Sequence, residues 1–114
     1  MLTIDEVVAA YKRIGFTPKR GAYNTDKEPK KCCGLEAIYI SRTQMENNVV
    51  KDLRLSGYIV DFEYFKKYGE GFAGGFLNGF DHKRAMLSRI EEVQAAAKNG
   101  IEIREALEKI YGSF

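Results

Sequence analysis

Hydrophobic residues recur every three or four positions near the start of the chain, a spacing that places them on one face of a helix. The stripe consists of Ile4, Val7, Val8, Tyr11 and Ile14. Thr3 and Glu6 match a capping box at the helix start, and Gly15 suits the left-handed residue that often follows a helix end. The pattern therefore predicts a helix over residues 4–14.

The next segment, residues 17–31, has no periodicity and carries five bases against two acids, a net charge of +3. Long connections in compact domains are typically functional segments or mobile ones, and most run over the surface. We therefore expect a solvated basic loop at about 17–31.

A second helix is predicted over residues 29–41, because Pro29 is well tolerated at the first helical position. Cys33, Ala37 and Ile40 share one row of this helix, and further apolar residues surround that row. A helix that is apolar on most sides is normally central in its domain.

The stretch 59–80 combines a stripe of rings with a stripe of glycines. The rings are Phe65, Tyr68, Phe72, Phe76 and Phe80, and the glycines beside them are Gly71, Gly75 and Gly79. Each glycine inside a helix costs about 1 kcal/mol relative to alanine, so we expect another backbone to pack closely against them. The pattern predicts one helix over about 61–80, with the helix-packing or interface residues Gly71, Gly75, Gly79, Phe72, Phe76 and Phe80.

Hydrophobic spacing permits a short helix over residues 46–55 and predicts helices over 81–98, which begins at Asp81 or continues the helix before it, and 102–111. Asn99-Gly100 is expected to separate the last two, because both residue types are common just after a helix end. The residues that carry these patterns are Val49, Val50 and Leu53, then Met86, Ile90, Val93 and Ala97, and finally Ile103, Ala106, Leu107 and Ile110.

The predicted fold is all-α, a compact orthogonal or bundle-like array of four to five helices around one central Phe/Gly-rich helix. The 114 residues suit a single domain, and no linker or internal repeat divides them. Whether residues 61–98 form one helix or two stays open at this point.

Charge and composition narrow the choice of partners. Eighteen basic against 16 acidic residues give a net charge of only +2, whereas a nucleic-acid binder usually has a strongly basic surface. The first residues do not resemble a signal peptide, and no apolar run approaches the roughly 20 residues that cross a bilayer. We therefore expect a soluble, cytoplasmic protein with neither a nucleic-acid nor a membrane partner.

Residues Gly69–Gly74 match the dinucleotide fingerprint GxGxxG. The fingerprint needs a buried strand before it and a βαβ unit around it. Here the helical stripe of phenylalanines runs through the glycines, and the chain offers no clear second parallel strand. We interpret these glycines as a packing surface and expect no cofactor.

Lys30, Lys31, Cys32 and Cys33 give the best hint of chemistry, since lysines in the first turn of a helix oppose its dipole. The helix start would then bind an anion, or the lysines and the dipole would lower the pKa of a reactive thiol. The simpler interpretation is that both cysteines are small core residues, with Cys33 the more buried. Adjacent cysteines are in any case a poor disulfide framework.

His82 is the one histidine of the chain and follows Asp81. A lone histidine without other donors makes no metal site, so no metal is expected. A Cys–His pair oriented by Asp81 is conceivable, because such partners need only meet in space. A surface histidine is the simpler interpretation.

The leading functional hypothesis is a non-enzymatic protein–protein interaction or regulatory module, because no catalytic constellation stands out. Seven Tyr and seven Phe in a domain of short helices also favour self-association as a homodimer. The alternative is a small-ligand- or anion-binding, or thiol-dependent, protein that uses the Lys30–Cys33 helix start.

Overall fold

The structure, a computed structural model, describes residues 1–21, 30–50, 62–85 and 89–114. Helices dominate these residues, which confirms the all-α prediction. The elements are α1 (Ile4–Ile14), β1 (Thr17–Pro18), β2 (Lys31–Cys32), α2 (Gly34–Thr43), β3 (Met45–Glu46), β4 (Val49–Val50), a 3-10 helix (Phe62–Tyr68), α3 (Phe72–His82) and α4 (Glu91–Tyr111).

Helix α1 forms as its sequence predicts. The Thr3 hydroxyl accepts a hydrogen bond from the backbone N–H of Glu6 at 3.2 Å. At the other end Gly15 is left-handed, with φ 73°, and its N–H donates to the carbonyl of Tyr11 at 2.9 Å. Phe16 follows and is buried, so the Gly15 hydrogen bond and the packed Phe16 ring together end the helix.

Helix α2 begins at Gly34, so the predicted start at Pro29 is wrong. Strand β2 precedes the helix and pairs in parallel with β1. The N–H groups of Thr17 and Lys19 donate to the carbonyls of Lys30 and Cys32, each at 3.0 Å. These bonds hold residues 30–32 extended, and the helix forms only after them. Of the expected basic loop, residues 22–29 lie outside the described residues.

The predicted row on α2 is confirmed, because Cys33, Ala37 and Ile40 are all buried. Cys33 caps the helix, since its sulfur accepts a hydrogen bond from the N–H of Glu36 at 3.4 Å. Glu36 itself lies in the first turn, at the positive end of the helix dipole. Cys33-Gly34-Leu35-Glu36 therefore resembles a capping box with a thiol in place of the usual hydroxyl.

Residues 45–50 form a β-hairpin, so the helix predicted over 46–55 is wrong where the structure describes it. Strands β3 and β4 pair antiparallel, and Asn47 and Asn48 between them have φ of 51° and 63°. Two left-handed residues in a row make a type I′ turn, a conformation that asparagine tolerates. Residues 51–55 of that prediction lie outside the described residues.

The single helix predicted over 61–80 is two elements, the 3-10 helix and α3. The chain breaks between them because Gly69 and Gly71 have φ of 130° and 74°, outside the helical region. The ring stripe nevertheless continues across the break, since Tyr68 and Phe72 stack with centroids 5.0 Å apart. Residue 61 lies outside the described residues.

The boundaries of the helices predicted over 81–98 and 102–111 are also wrong. Residues 81–82 end α3, and a single helix, α4, runs from Glu91 to Tyr111 through Asn99-Gly100. Residues 86–88 lie outside the described residues. Tertiary contacts outweigh the helix-ending preference of Asn99-Gly100, because both residues are buried against other parts of the chain.

Helices α3 and α4 share the most extensive contact among the described elements. A Cβ atom on Gly75 would lie 2.6 Å from the carbonyl oxygen of Val93 on α4. A Cβ on Gly79 would overlap the carbonyl of Ala97, and one on Gly100 would overlap the carbonyl of Phe76. The glycines of both helices therefore let the two backbones touch, and that contact offsets their poor helix propensity.

The core lies between α1, α2, α3 and α4, with α1 packed on α2 and α3 packed on α4. A row of rings runs along α3, with centroids 5.7 Å apart for Phe72 and Phe76 and 5.9 Å for Phe76 and Phe80. Among the described residues, no helix is both long and apolar enough to span a membrane.

Candidate functional site

Both cysteines lie in the core and not at an accessible helix start. Their relative exposures are 0% for Cys32 and 1% for Cys33, so both are fully buried and the structure does not rank one above the other. Burial raises the pKa of both thiols well above the ordinary value of 9.0, and nearby negative charge, including that of Glu36, raises it further. A buried thiol that holds its proton is a weak nucleophile.

The start of α2 is closed to an external anion. Gly34, Leu35 and Glu36 in its first turn are buried, and the Glu36 carboxyl occupies the space beside the helix start. Lys30 and Lys31 precede the helix and are half-buried, so they do not lie in its first turn. The hydroxyl of Tyr11 completes this region by donating to the carbonyl of Cys32 at 2.7 Å.

The glycine and phenylalanine residues singled out on α3 face inward. Phe72, Phe76 and Phe80 are buried in the core, as are Gly75 and Gly79. Gly71 is the exposed N-cap of α3, and an added Cβ there would lie 3.0 Å from the Val93 side chain. Of the three glycines in the GxGxxG match, only Gly71 packs closely against α4, since a Cβ on Gly74 would meet nothing within 4 Å.

His82 is exposed at the end of α3, and the structure does not bring it to the buried cysteines as a catalytic pair would require. Asp81 accepts a hydrogen bond from the N–H of Gly21 at 2.9 Å. Within the described ranges, no group of three His, Cys, Asp or Glu side chains could hold a metal ion.

A different set of side chains converges on one partly exposed surface, which we call the tyrosine–arginine face. It joins the end of α2 to the 3-10 helix and consists of Tyr39, Arg42, Tyr64, Lys67 and Tyr68. The three tyrosines are half-buried, and both cations are exposed. Half-burial fixes each ring on the core while its hydroxyl edge stays near solvent.

Arg42 is held by contacts on two sides. Its Nη1 donates to the hydroxyl of Tyr68 at 2.6 Å, and its Nη2 lies 3.4 Å from the carboxylate of Glu6 on α1. The side chains of Arg42 and Glu6 are each 33% exposed. An ion pair with this much water contact adds little to stability, but together the two contacts fix where the guanidinium points.

The rings of the face are packed edge to face. Tyr39 and Tyr64 meet with centroids 5.6 Å apart and an angle of 80°. Tyr64 also contacts the fully buried Phe65 at 5.0 Å, which anchors the ring to the core. The ammonium of Lys67 lies 4.1 Å from the Tyr64 ring centroid, within cation–π range.

The two cations change the acidity of the tyrosine between them. Partial burial acts to raise the pKa of the Tyr64 hydroxyl, but the charges and hydrogen bonds of Lys67 and Arg42 outweigh it, and the pKa is lowered. Tyr68 and Tyr64 in turn raise the pKa of Arg42 against the opposing effect of its burial. The guanidinium of Arg42 therefore keeps its positive charge at physiological pH.

Periodicity along the chain does not predict this face, because its members come from parts of the chain far apart in sequence. One local signal was present, namely the run Phe62-Glu63-Tyr64-Phe65-Lys66-Lys67-Tyr68, which interleaves rings and bases. That run was interpreted only as part of the helical stripe of rings.

No known protein family, curated protein or solved structure matches this chain. Its function is therefore inferred from the chemistry and packing of its own residues.

Proposed function

We propose that this protein is a non-enzymatic protein–protein interaction module that forms a homodimer through the tyrosine–arginine face. The observation that carries the proposal is the fixed array of rings and cations on a partly exposed surface. Tyrosine and arginine are enriched in the energetically dominant positions of protein interfaces. Buried thiols and inward-facing glycines leave no comparable support for the alternative site at Lys30–Cys33.

The face is already ordered before any partner binds. Tyr64 rests on Phe65, and Tyr68 accepts the hydrogen bond from Arg42. Ordering a flexible side chain at an interface costs about 0.5–1.5 kcal/mol, and a fixed side chain avoids most of that cost. Tyrosine also has few rotatable bonds for its contact area.

A second copy of the chain is the partner that the charges favour. Arg42 pairs with Glu6 on α1, and Lys66 pairs with Glu63 at 2.9 Å on the 3-10 helix. A two-fold interface brings the same surface together from both subunits, so a surface that carries both signs can complement itself. A strongly basic face would instead repel its own copy.

Phe62 adds an exposed apolar ring to the 3-10 helix. Its relative exposure is 52%, and it begins the 3-10 helix that carries Tyr64 and Lys67. An exposed aromatic ring beside a polar rim is typical of a buried interface centre once the partner is present. The expected contact therefore centres on the 3-10 helix, with the end of α2 as its rim.

Sedimentation equilibrium of the full chain over a wide concentration range tests the proposal with two matched variants. Phe62→Glu places a charge on the 3-10 helix that carries Tyr64 and Lys67, and Ile110→Glu places the same charge on another exposed apolar residue, at 56% exposure, near the far end of α4. We expect wild type and Ile110→Glu to dimerise and Phe62→Glu to remain monomeric.

Either of two results contradicts the proposal. A wild-type monomer at every concentration removes the homodimer. A dimer that survives Phe62→Glu but is lost in Ile110→Glu places the interface on α4 and not on the tyrosine–arginine face.

A further inference from the structure

A groove of about 630 Å³ lies where the chain after β1 crosses the end of α3. This volume falls within the range of about 300–1,000 Å³ typical of small-molecule sites. The residues that line it are Lys19, Arg20, Gly21, Asp81, His82 and Phe114. The groove therefore joins the described start of the basic segment to the lone histidine.

Hydrogen bonds fix both walls of the groove. The N–H of Lys19 donates to the carbonyl of Cys32, which extends the β1–β2 pairing. The N–H of Gly21 then donates to the Asp81 carboxylate at 2.9 Å. Arg20 reaches the Asp81 carbonyl through Nη1 at 3.5 Å. The basic residues are thus tied to α3 through the backbone on either side of them.

The charge of the groove favours an anion. Two cations, Lys19 and Arg20, line the groove against one carboxylate, that of Asp81, which already accepts the Gly21 N–H. Among the described residues, neither Lys19 nor His82 makes a side-chain hydrogen bond or ion pair with a carboxylate. Within the described part of the chain, no carboxylate therefore competes with a ligand for these two side chains.

The end of α3 does not cancel this charge. The last carbonyls of a helix carry partial negative charge and repel anions. Here the buried Arg104 donates through Nη1 to the carbonyls of Phe80 and Asp81, each at 3.2 Å. The N–H of Lys83 donates to the carbonyl of Gly79. Several of the last carbonyls of α3 therefore already have hydrogen-bond partners.

Phe114 gives the groove an aromatic wall. Its ring is half-buried and packs on Phe80, with centroids 5.8 Å apart and an angle of 32°. A fixed ring of this kind offers a surface on which a flat ring of a ligand can stack. Because the groove has cations on one side and a ring on the other, it suits a ligand that carries both an anionic group and a flat ring.

We propose that this groove binds a small phosphorylated ligand with a flat ring, of the nucleotide class. Lys19, Arg20 and His82 hold the phosphate groups, and the ring of the ligand lies against Phe114. Arginine and lysine contacts to phosphate are charge-assisted and stronger than neutral hydrogen bonds. The site is separate from the tyrosine–arginine face and does not depend on the proposed dimer.

Isothermal titration calorimetry of the full chain tests the site with ATP, inorganic pyrophosphate and adenosine as three separate probes. We expect ATP to bind more tightly than pyrophosphate, which lacks the ring, and than adenosine, which lacks the phosphates. Lys19→Gln and His82→Gln should each weaken ATP about tenfold, the equivalent of one lost charge-assisted contact. Lys12→Gln, an exposed change on α1, is the matched control.

Lys19→Gln and His82→Gln should both melt at the wild-type temperature, because neither side chain makes a hydrogen bond or ion pair with another of the described residues. Phe114→Ala should weaken ATP while leaving pyrophosphate unchanged. Absence of saturable ATP binding overturns the proposal. Equal loss in Lys12→Gln and Lys19→Gln also overturns it, since that result shows attraction to general positive charge and no defined site.

Discussion

The carboxamide of Asn99 pairs with both backbone groups of Leu2. Its oxygen accepts the N–H of Leu2 at 3.0 Å, and its nitrogen donates to the Leu2 carbonyl at 2.9 Å. Both residues are buried, so the asparagine satisfies polar groups that water does not reach. Through this pair, the middle of α4 fixes the residues immediately before α1.

Replacing Asn99 with leucine should therefore destabilise the fold, although leucine is the better helix former. The variant leaves the N–H and carbonyl of Leu2 buried without partners, at a cost of about 2–4 kcal/mol in the free energy of unfolding. Lys98→Leu changes the exposed neighbour on the same helix and should stay within about 0.5 kcal/mol of wild type. Urea denaturation measures both, and equal stability of the two variants would contradict the role given to Asn99.

The glycines of α3 allow a comparison within one helix. Gly79→Ala should cost about 3 kcal/mol, because its Cβ overlaps the Ala97 carbonyl and forces α4 away. Gly74→Ala meets nothing within 4 Å and should stabilise the helix by about 0.5–1 kcal/mol. Thermal melts compare the two directly. If both variants melt alike, α3 and α4 do not touch at their backbones.

The cysteines should be protected in the native state. We expect Cys32 and Cys33 to react slowly with a thiol reagent at neutral pH and rapidly once the protein is unfolded, because both are buried. Lys30→Gln and Lys31→Gln should leave the native rate unchanged, since the lysines do not activate a thiolate. Fast native labelling that slows in the lysine variants would restore the thiol hypothesis.

Stability should fall in alkaline solution. The pKa values of both thiols and of the Tyr11 hydroxyl are raised, mainly by burial, above the ordinary values of 9.0 and 10.0. As pH rises through those ordinary values, the unfolded chain releases these protons while the folded chain keeps them. The stabilisation is thus complete below about pH 9 and is lost above it.

Tyr11→Phe isolates the contribution of the Tyr11 hydroxyl to this loss of stability at alkaline pH. It removes the hydrogen bond to the Cys32 carbonyl and should cost about 1–3 kcal/mol at neutral pH. The variant has one titrating group fewer, so its stability should fall less steeply than that of wild type above pH 10. Urea denaturation across this range is the check, and parallel slopes would show that the Tyr11 hydroxyl titrates normally.

Local sequence determined the elements whose ends are set by neighbouring residues. Helix α1 forms as predicted because Thr3 and Gly15 cap it through bonds within a few residues. The prediction failed where a distant contact decides the conformation. Asn99-Gly100 continues a helix because Leu2 and the α3 backbone occupy the two residues. Strand β2 replaces a first helical turn because it pairs with Thr17 and Pro18.

The tyrosine–arginine face also depends on distant contacts, which local sequence does not predict. The stripe of rings was visible from spacing alone, and it does form the row along α3. Arg42, however, meets Tyr68 across 26 positions and Glu6 across 36. Periodicity within one segment cannot predict contacts between residues so far apart in sequence. The hairpin differs, because its signal is local. Asn47-Asn48 favours a turn, and this preference outweighs the helical spacing of Val49 and Val50.

The proposed homodimer is tested most directly by amide chemical shifts recorded on ¹⁵N-labelled protein across a dilution series. If two copies meet through the tyrosine–arginine face, the amides that shift with concentration belong to residues 39–42 and 62–68. Those of residues 102–111 should stay constant. Shifts confined to residues 102–111, or no change at any concentration, would contradict the account.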